Sequence, residues 1–220
     1  MPIEPLYLLI ALLPLVAYLL VLGVIRLSGR VLVTTGGRDI AALGFAISGL
    51  VAIGPIELFF PKAAAGVFGP WIWVTLGLFY GLIVTLIALT SRPKLVVYGR
   101  SPEEVMDALH EASLEIDADS ECDRERMQIF LPRLRVHLRA AGFKGVDSTS
   151  IESFEPITST AFWETLLGQL RANSDSMPKP SQRRGAMMIV VALSMAAMIG
   201  WQILKDPQAV VEAFSQWLWR

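Results

Sequence analysis

Four long stretches of this chain are nearly free of charge, and they limit what it can fold into. A helix rises 1.5 Å per residue, so crossing about 30 Å of hydrocarbon takes roughly 20 consecutive apolar residues. Residues 6–27, 39–60, 70–90 and 185–204 each meet that length. Lipid offers the backbone no hydrogen-bond partner, so an isolated apolar run must satisfy its own N–H and C=O groups as a helix. The sequence therefore predicts a membrane all-α bundle of four transmembrane helices. The first of them is expected to be retained, because Glu4 precedes it without a basic residue and its apolar run exceeds that of a cleaved signal peptide.

The charges say where the rest of the chain belongs. Of 39 Asp, Glu, Lys and Arg residues, 7 fall in residues 1–90, 28 in 91–184 and 4 in 185–220. The overall composition, 54% hydrophobic and 18% charged, thus averages two different polymers. The middle segment has the charge density of a water-soluble domain, placed between the third and fourth helices.

Basic residues in short loops mark the cytoplasmic side. Arg26, Arg30 and Arg38 follow the first helix, Arg92, Lys94 and Arg100 follow the third, and Lys179, Arg183 and Arg184 precede the fourth. The loop after the second helix has only Lys62. The expectation is a multi-pass protein of the plasma (inner) membrane of a bacterial-type cell, with N-terminus and C-terminus outside and residues 91–184 cytoplasmic. Tyr7, Trp71, Trp73 and Trp201 then fall at the outer interface, where amphipathic rings sit well. Residues 205–220 read as an amphipathic tail helix, opened by Asp206 and Pro207, with Val210, Val211, Phe214, Trp217 and Leu218 at helical spacing. Periodicity does not decide whether that helix lies on the membrane or on the bundle's own loops.

Small residues four apart let helix backbones approach in lipid. Gly44, Ser48 and Ala52 form such a stripe in the second helix, Gly77 and Gly81 in the third, and Ala192, Ala196 and Gly200 in the fourth. Packing of these three helices on one another explains the stripes; a homo-oligomer through Gly77 and Gly81 is the alternative. The candidate intramembrane polar site is Glu57 beside the Gly54-Pro55 break, which places an acid near the outer boundary. The loop 34–39 lacks both phosphate-binding glycine spacings and reads as a Gly-Gly turn leading to an Asp39 N-cap.

The insertion, 91–172, predicts a small α+β domain of order β-α-β-β-β-α, followed by a linker at 173–184. Residues 93–98 read as a strand; Ser101, Pro102 and Glu104 open a helix as a capping box. Met127, Ile129 and Leu131 alternate, as do Leu134, Val136 and Leu138, and 146–154 forms a weaker strand. A helix over 159–172 carries Phe162, Leu166, Leu167 and Leu170. The chemistry is thin. His110 and His137 fall on different elements, Cys122 stands in a charged stretch, and the acids at 117, 119, 121 and 123 lack the Gly and Glu a calcium loop demands. No catalytic constellation, metal site or cofactor motif is read.

The most distinctive feature is a basic stripe, Arg133, Arg135, His137 and Arg139, expected on one face of one strand. It is the candidate contact for anionic lipid headgroups or a partner protein. Nucleic acid is not expected, since the insertion holds 13 basic and 15 acidic residues and no aromatic-basic platform. The functional expectation is a non-enzymatic, membrane-anchored interaction or scaffolding module, with a small transporter or channel subunit using Glu57, Gly54 and Pro55 as the alternative.

Overall fold

The computed structural model describes residues 5–56, 69, 71–142, 148–156, 159–177 and 182–218. It is a mixed helix-and-sheet protein in which four helices are long and apolar enough to cross a membrane, together with a six-stranded antiparallel sheet. The chain divides into two units. One holds Met1–Val24, Ile40–Leu89 and Ala186–Arg220; the other holds Ile25–Asp39 and Thr90–Gly185.

The helical unit contains α1 (Pro5–Leu27), α2 (Gly36–Val51), α3 (Trp71–Thr90), α6 (Gln182–Lys205) and the tail helix α7 (Pro207–Leu218). Pro14 lies within α1 without ending it. α2 continues into a π-helical turn, Ala52–Ile56, at the Gly54-Pro55 pair; proline has no N–H to give the helix ladder, and a wider turn is one way a helix absorbs that. The α1–α6 contact is built on Val16, Ala192 and Ile199, with Leu9, Leu12, Leu19, Met195 and Ala196 around them. α2 approaches α1 at Gly49, where a Cβ would overlap the carbonyl oxygen of Ile10. It approaches α3 at Gly44, where a Cβ would stand 2.7 Å from Val84 Cγ1 and whose carbonyl accepts the Tyr80 hydroxyl at 2.6 Å.

The sheet unit contains β1 (Leu32–Thr35), β2 (Lys94–Tyr98), α4 (Pro102–Leu114), β3 (Glu121–Asp123), β4 (Gln128–Leu131), β5 (Val136–Gly142), β6 (Ser148–Ser153), α5 (Thr160–Ala172) and a 3₁₀ turn (Asn173–Ser176). The strand order is β1-β2-β6-β5-β4-β3. Two of these strands add to the expected order. β3 is a three-residue edge, too short to show periodicity. β1 comes from the loop between α1 and α2 and pairs with β2 from Leu32 opposite Tyr98 to Thr35 opposite Leu95.

The expected start of α2 moves as well. The helix begins at Gly36, not Asp39, because the Thr35 Oγ1 accepts the Arg38 N–H at 3.4 Å and so acts as the N-cap. Asp39 falls in the first turn and accepts the Tyr98 hydroxyl.

Helices α4 and α5 cover one face of the sheet. Leu95, Val97, Ile129, Leu131, Leu138 and Ile151 meet Val105, Leu109 and Ala112 of α4 and Trp163, Leu166 and Leu170 of α5 in one apolar core. α4 opens as its sequence demands, with Glu104 Oε2 accepting the Ser101 N–H at 3.0 Å. The β1 edge is capped: Nε and Nη2 of Arg171, in the last turn of α5, both donate to the Val33 carbonyl, at 3.2 and 2.9 Å. That removes an acceptor from an edge that would otherwise template pairing with another chain.

Candidate functional site

The basic stripe does not lie on one strand. Residues 132–135 form the β4–β5 turn, closed by the Arg135 N–H donating to the Pro132 carbonyl at 3.3 Å. Arg135 takes φ 53°, the left-handed conformation that tight hairpins require and that costs a non-glycine residue energy. Proline set the turn, and the alternation of the sequence ran through it undisturbed. Only His137 and Arg139 are strand residues.

Two of the four stripe residues, Arg133 and His137, pair with acids. Arg133 reaches Asp119 at 2.8 Å and Asp117 at 3.6 Å, and its backbone N–H donates to Asp117 Oδ2 at 2.8 Å. The Asp117 carboxylate is wholly buried and also accepts the Asp119 N–H, so it locks the α4–β3 loop to the β4–β5 turn. His137 presents both its backbone N–H and its Nδ1 to Glu155, each at 2.8 Å. Arg139 stands opposite Glu152, which stands opposite Lys94 in turn, and Lys94 Nζ lies 3.8 Å from Glu152.

The sheet face turned away from α4 and α5 is therefore organised across strands. One row runs Lys94, Glu152, Arg139, Gln128 and Asp123, alternating in sign apart from the neutral Gln128. The adjacent row is aromatic: Phe130 stacks on the His137 ring at 4.4 Å between centroids, and the N–H of Phe154, 53% exposed, donates to the His137 carbonyl. Partial burial pushes the Glu155 carboxyl up, but the hydrogen bonds from His137 outweigh it and hold the group below the ordinary glutamate range.

Arg100, read from the sequence as a basic loop residue after the third helix, is buried. It follows β2 and is 1% exposed; its Nη1 donates to the Gly99 carbonyl at 2.9 Å, while Nε and Nη2 have no hydrogen-bond partner among the described residues. Burial lowers its affinity for the proton and the charge of Glu104 partly restores it. Nothing in the run Tyr98-Gly99-Arg100-Ser101 distinguishes a buried arginine from a solvated turn residue. Burial also pushes the Cys122 thiol up, away from the thiolate that nucleophilic chemistry needs. Among the described residues no group of three His, Cys, Asp or Glu side chains is placed to hold a metal ion.

In the helical unit, Glu57 lies outside the described residues. Gly54 belongs to the π-helical turn with Pro55, and a Cβ on Gly54 would meet nothing within 4 Å among the described residues. Of the small-residue stripes, Gly44 faces Val84, while Ala192 and Ala196 face α1. Ser48 donates to the Phe45 carbonyl of its own helix, and Ala52 opens the π-helical turn. Among the described residues, nothing stands within 4 Å of where a Cβ would be on Gly77, Gly81 or Gly200. α1, which lacks a small-residue stripe, is thus the helix that Gly49 and Ala192 pack against. No family model, curated protein or solved structure matches this chain.

Proposed function

We propose that this chain is a multi-pass plasma-membrane protein that holds its sheet unit at the cytoplasmic surface as a non-enzymatic interaction module. The observation that carries the reading is the β1–β2 pairing. β1 follows α1 and precedes α2, and β2 follows α3. The sheet unit is joined to the chain at the C-terminal ends of α1 and α3 and the N-terminal ends of α2 and α6. Those four ends belong on one side of the bilayer in an up-down bundle with both termini on the other side. The six arginines near them make that side cytoplasmic by the positive-inside rule.

Four covalent fastenings make this an unusual anchor. A domain on one flexible linker has a single connection to its anchor, whereas the chain enters or leaves this one at four points. Such an arrangement suits a module that presents one face to a partner. The helix-free sheet face, with its mutually paired charges and the exposed aromatic ring of Phe154, is the surface we assign to that contact.

The test uses the full chain in cells, because the insertion alone would lack β1. A photoreactive amino acid at position 154 should give a discrete protein adduct, and one at position 111, on α4, should not. Equal adducts from both positions, or none from either, would remove the reading.

A further inference from the structure

We propose that α7 lies in the plane of the membrane, with the edge formed by Pro207, Val211 and Phe214 sunk into the boundary between lipid headgroups and acyl chains at the C-terminal end of α6. This rests on the membrane reading above. α6 ends at Lys205 and α7 begins at Pro207, so one residue separates them. Its 12 residues, at 1.5 Å each, make a helix of about 18 Å, too short to cross about 30 Å of hydrocarbon. The end of α6 carries the marks of an interface. Trp201 and Leu204 are 65% and 78% exposed, and the Lys205 ammonium stands 5.5 Å from the centre of the Trp201 ring. An amphipathic ring beside a snorkelling amine suits headgroup depth. α7 therefore starts at that depth.

The helix has two sides. At about 100° per residue, Pro207, Val211 and Phe214 fall within about 60° of one another, and Gln208, Glu212 and Ser215 form a second row about 100° further round. All six are exposed, Val211 by 69% and Phe214 by 47%. Val210 and Ala213, on the flank of the apolar row away from the polar one, are half-buried. The cover over Val210 and Ala213 thus stops short of Val211 and Phe214.

Lipid is the occupant that fits this row. α7 holds one acid, Glu212, and no base. Anionic headgroups therefore offer it no attraction, and what holds it is burial of apolar area, which zwitterionic lipid supplies equally. A second copy of the chain fits less well. A stable protein interface takes about 800 Å² from each partner, and a row of three side chains falls short of that when even a large aromatic one buries at most about 250 Å². Held in this way, α7 fixes the depth of the α6 end.

The full chain in a Cys122→Ser background is reconstituted in phosphatidylcholine vesicles with one nitroxide-labelled cysteine at a time: Val211→Cys, Glu212→Cys, Phe214→Cys, Ser215→Cys and, within α6, Val190→Cys. Power saturation of each label reads its collisions with oxygen, which concentrates in lipid, and with a water-soluble nickel chelate. Positions 211 and 214 should favour oxygen and positions 212 and 215 nickel, so that the ratio rises and falls with a period of about 3.6 residues, at less depth than position 190. Adding phosphatidylglycerol should leave the pattern unchanged. Equal nickel access at positions 211 and 212 overturns the proposal, because α7 then stands in water. So does low collision with both reagents at 211 and 214, which marks a cover of protein, or a pattern that appears only with phosphatidylglycerol. The labelled positions are exposed, and position 214 repeats the test of 211 on the same row where one variant fails to reconstitute. Nickel access at position 190 fails the membrane reading and the tail with it; lipid at 190 with water at 211 fails only the tail.

Discussion

The two units of this protein put the same residues to opposite uses. In the sheet unit, leucine, isoleucine and valine are inside: Leu95, Leu109, Ile129, Leu138 and Ile151 are fully buried beneath α4 and α5. In the helical unit many of them are outside: Leu78, Leu82, Leu86, Val190 and Leu193 are exposed, and although Val16 and Ile199 help fill the α1–α6 contact, small residues such as Gly44, Gly49 and Ala192 stand where helices meet. Water drives apolar side chains together, and lipid does not, so helices in lipid adhere where their backbones can come close. The identity of a residue therefore says little about its role until the solvent around it is known.

The sharpest way to break this comparison is one truncation made twice. Leu138→Ala should cost about 3 kcal/mol, the usual price of a cavity in a packed core, and Leu82→Ala should cost almost nothing. Thermal unfolding of each variant in the same detergent measures both. A large loss at Leu82 would mean that α3 is covered by protein.

Next in size is a pair of glycines. Gly49→Ala puts a methyl group against the Ile10 carbonyl and should destabilise the helical unit by about 2 kcal/mol. Gly77→Ala meets open space and should be neutral or stabilise slightly through helix propensity. Unfolding in mixed micelles distinguishes them, and equal losses would contradict the assigned helix contacts.

The polar counterpart lies in the sheet unit. Asp117→Ala removes a buried carboxylate that accepts the part-buried N–H groups of Arg133 and Asp119, so a loss of about 2 kcal/mol is expected. Arg133→Gln breaks only the exposed side of the same lock and should cost well under 1 kcal/mol. Amide exchange at Arg133 and Asp119 reports the difference directly.

The smallest effect depends on pH. Glu155 is held below its ordinary value, so its pairing with His137 contributes fully above the unfolded value of about 4.3 and is lost as pH falls through the lower folded value. Both side chains are partly exposed, which limits the contribution to a few tenths of a kcal/mol. Glu155→Gln should flatten that part of the acid-side stability curve, and a curve of unchanged slope would remove the pair from the account.

How much of this was legible in the sequence follows the same division. The four apolar helices were, because length and absence of charge are properties of the chain alone. So were the capping box at Ser101 and the core face of α5. β1 was not: the four residues Leu32–Thr35 are too few to show a period beside a long apolar helix, and their strand character comes from pairing with residues 60 to 66 positions away. The basic stripe misled because alternation continued through a turn that Pro132 and the left-handed Arg135 impose. The small-residue stripes showed which faces can approach closely, yet partner choice depends on shape: Ala192 meets Val16 of α1, a helix with no stripe of its own.

The account stands or falls on whether residues 25–39 and 90–185 share one side of the membrane. In a Cys122→Ser background, single cysteines at Arg30, Arg135 and Lys205 can be challenged in intact cells with a membrane-impermeant thiol reagent, then again after permeabilisation. Labelling of position 205 in intact cells, with positions 30 and 135 reacting only after permeabilisation, is the predicted result. Opposite behaviour at positions 30 and 135 would contradict the pairing of β1 with β2 and the sheet unit built on it.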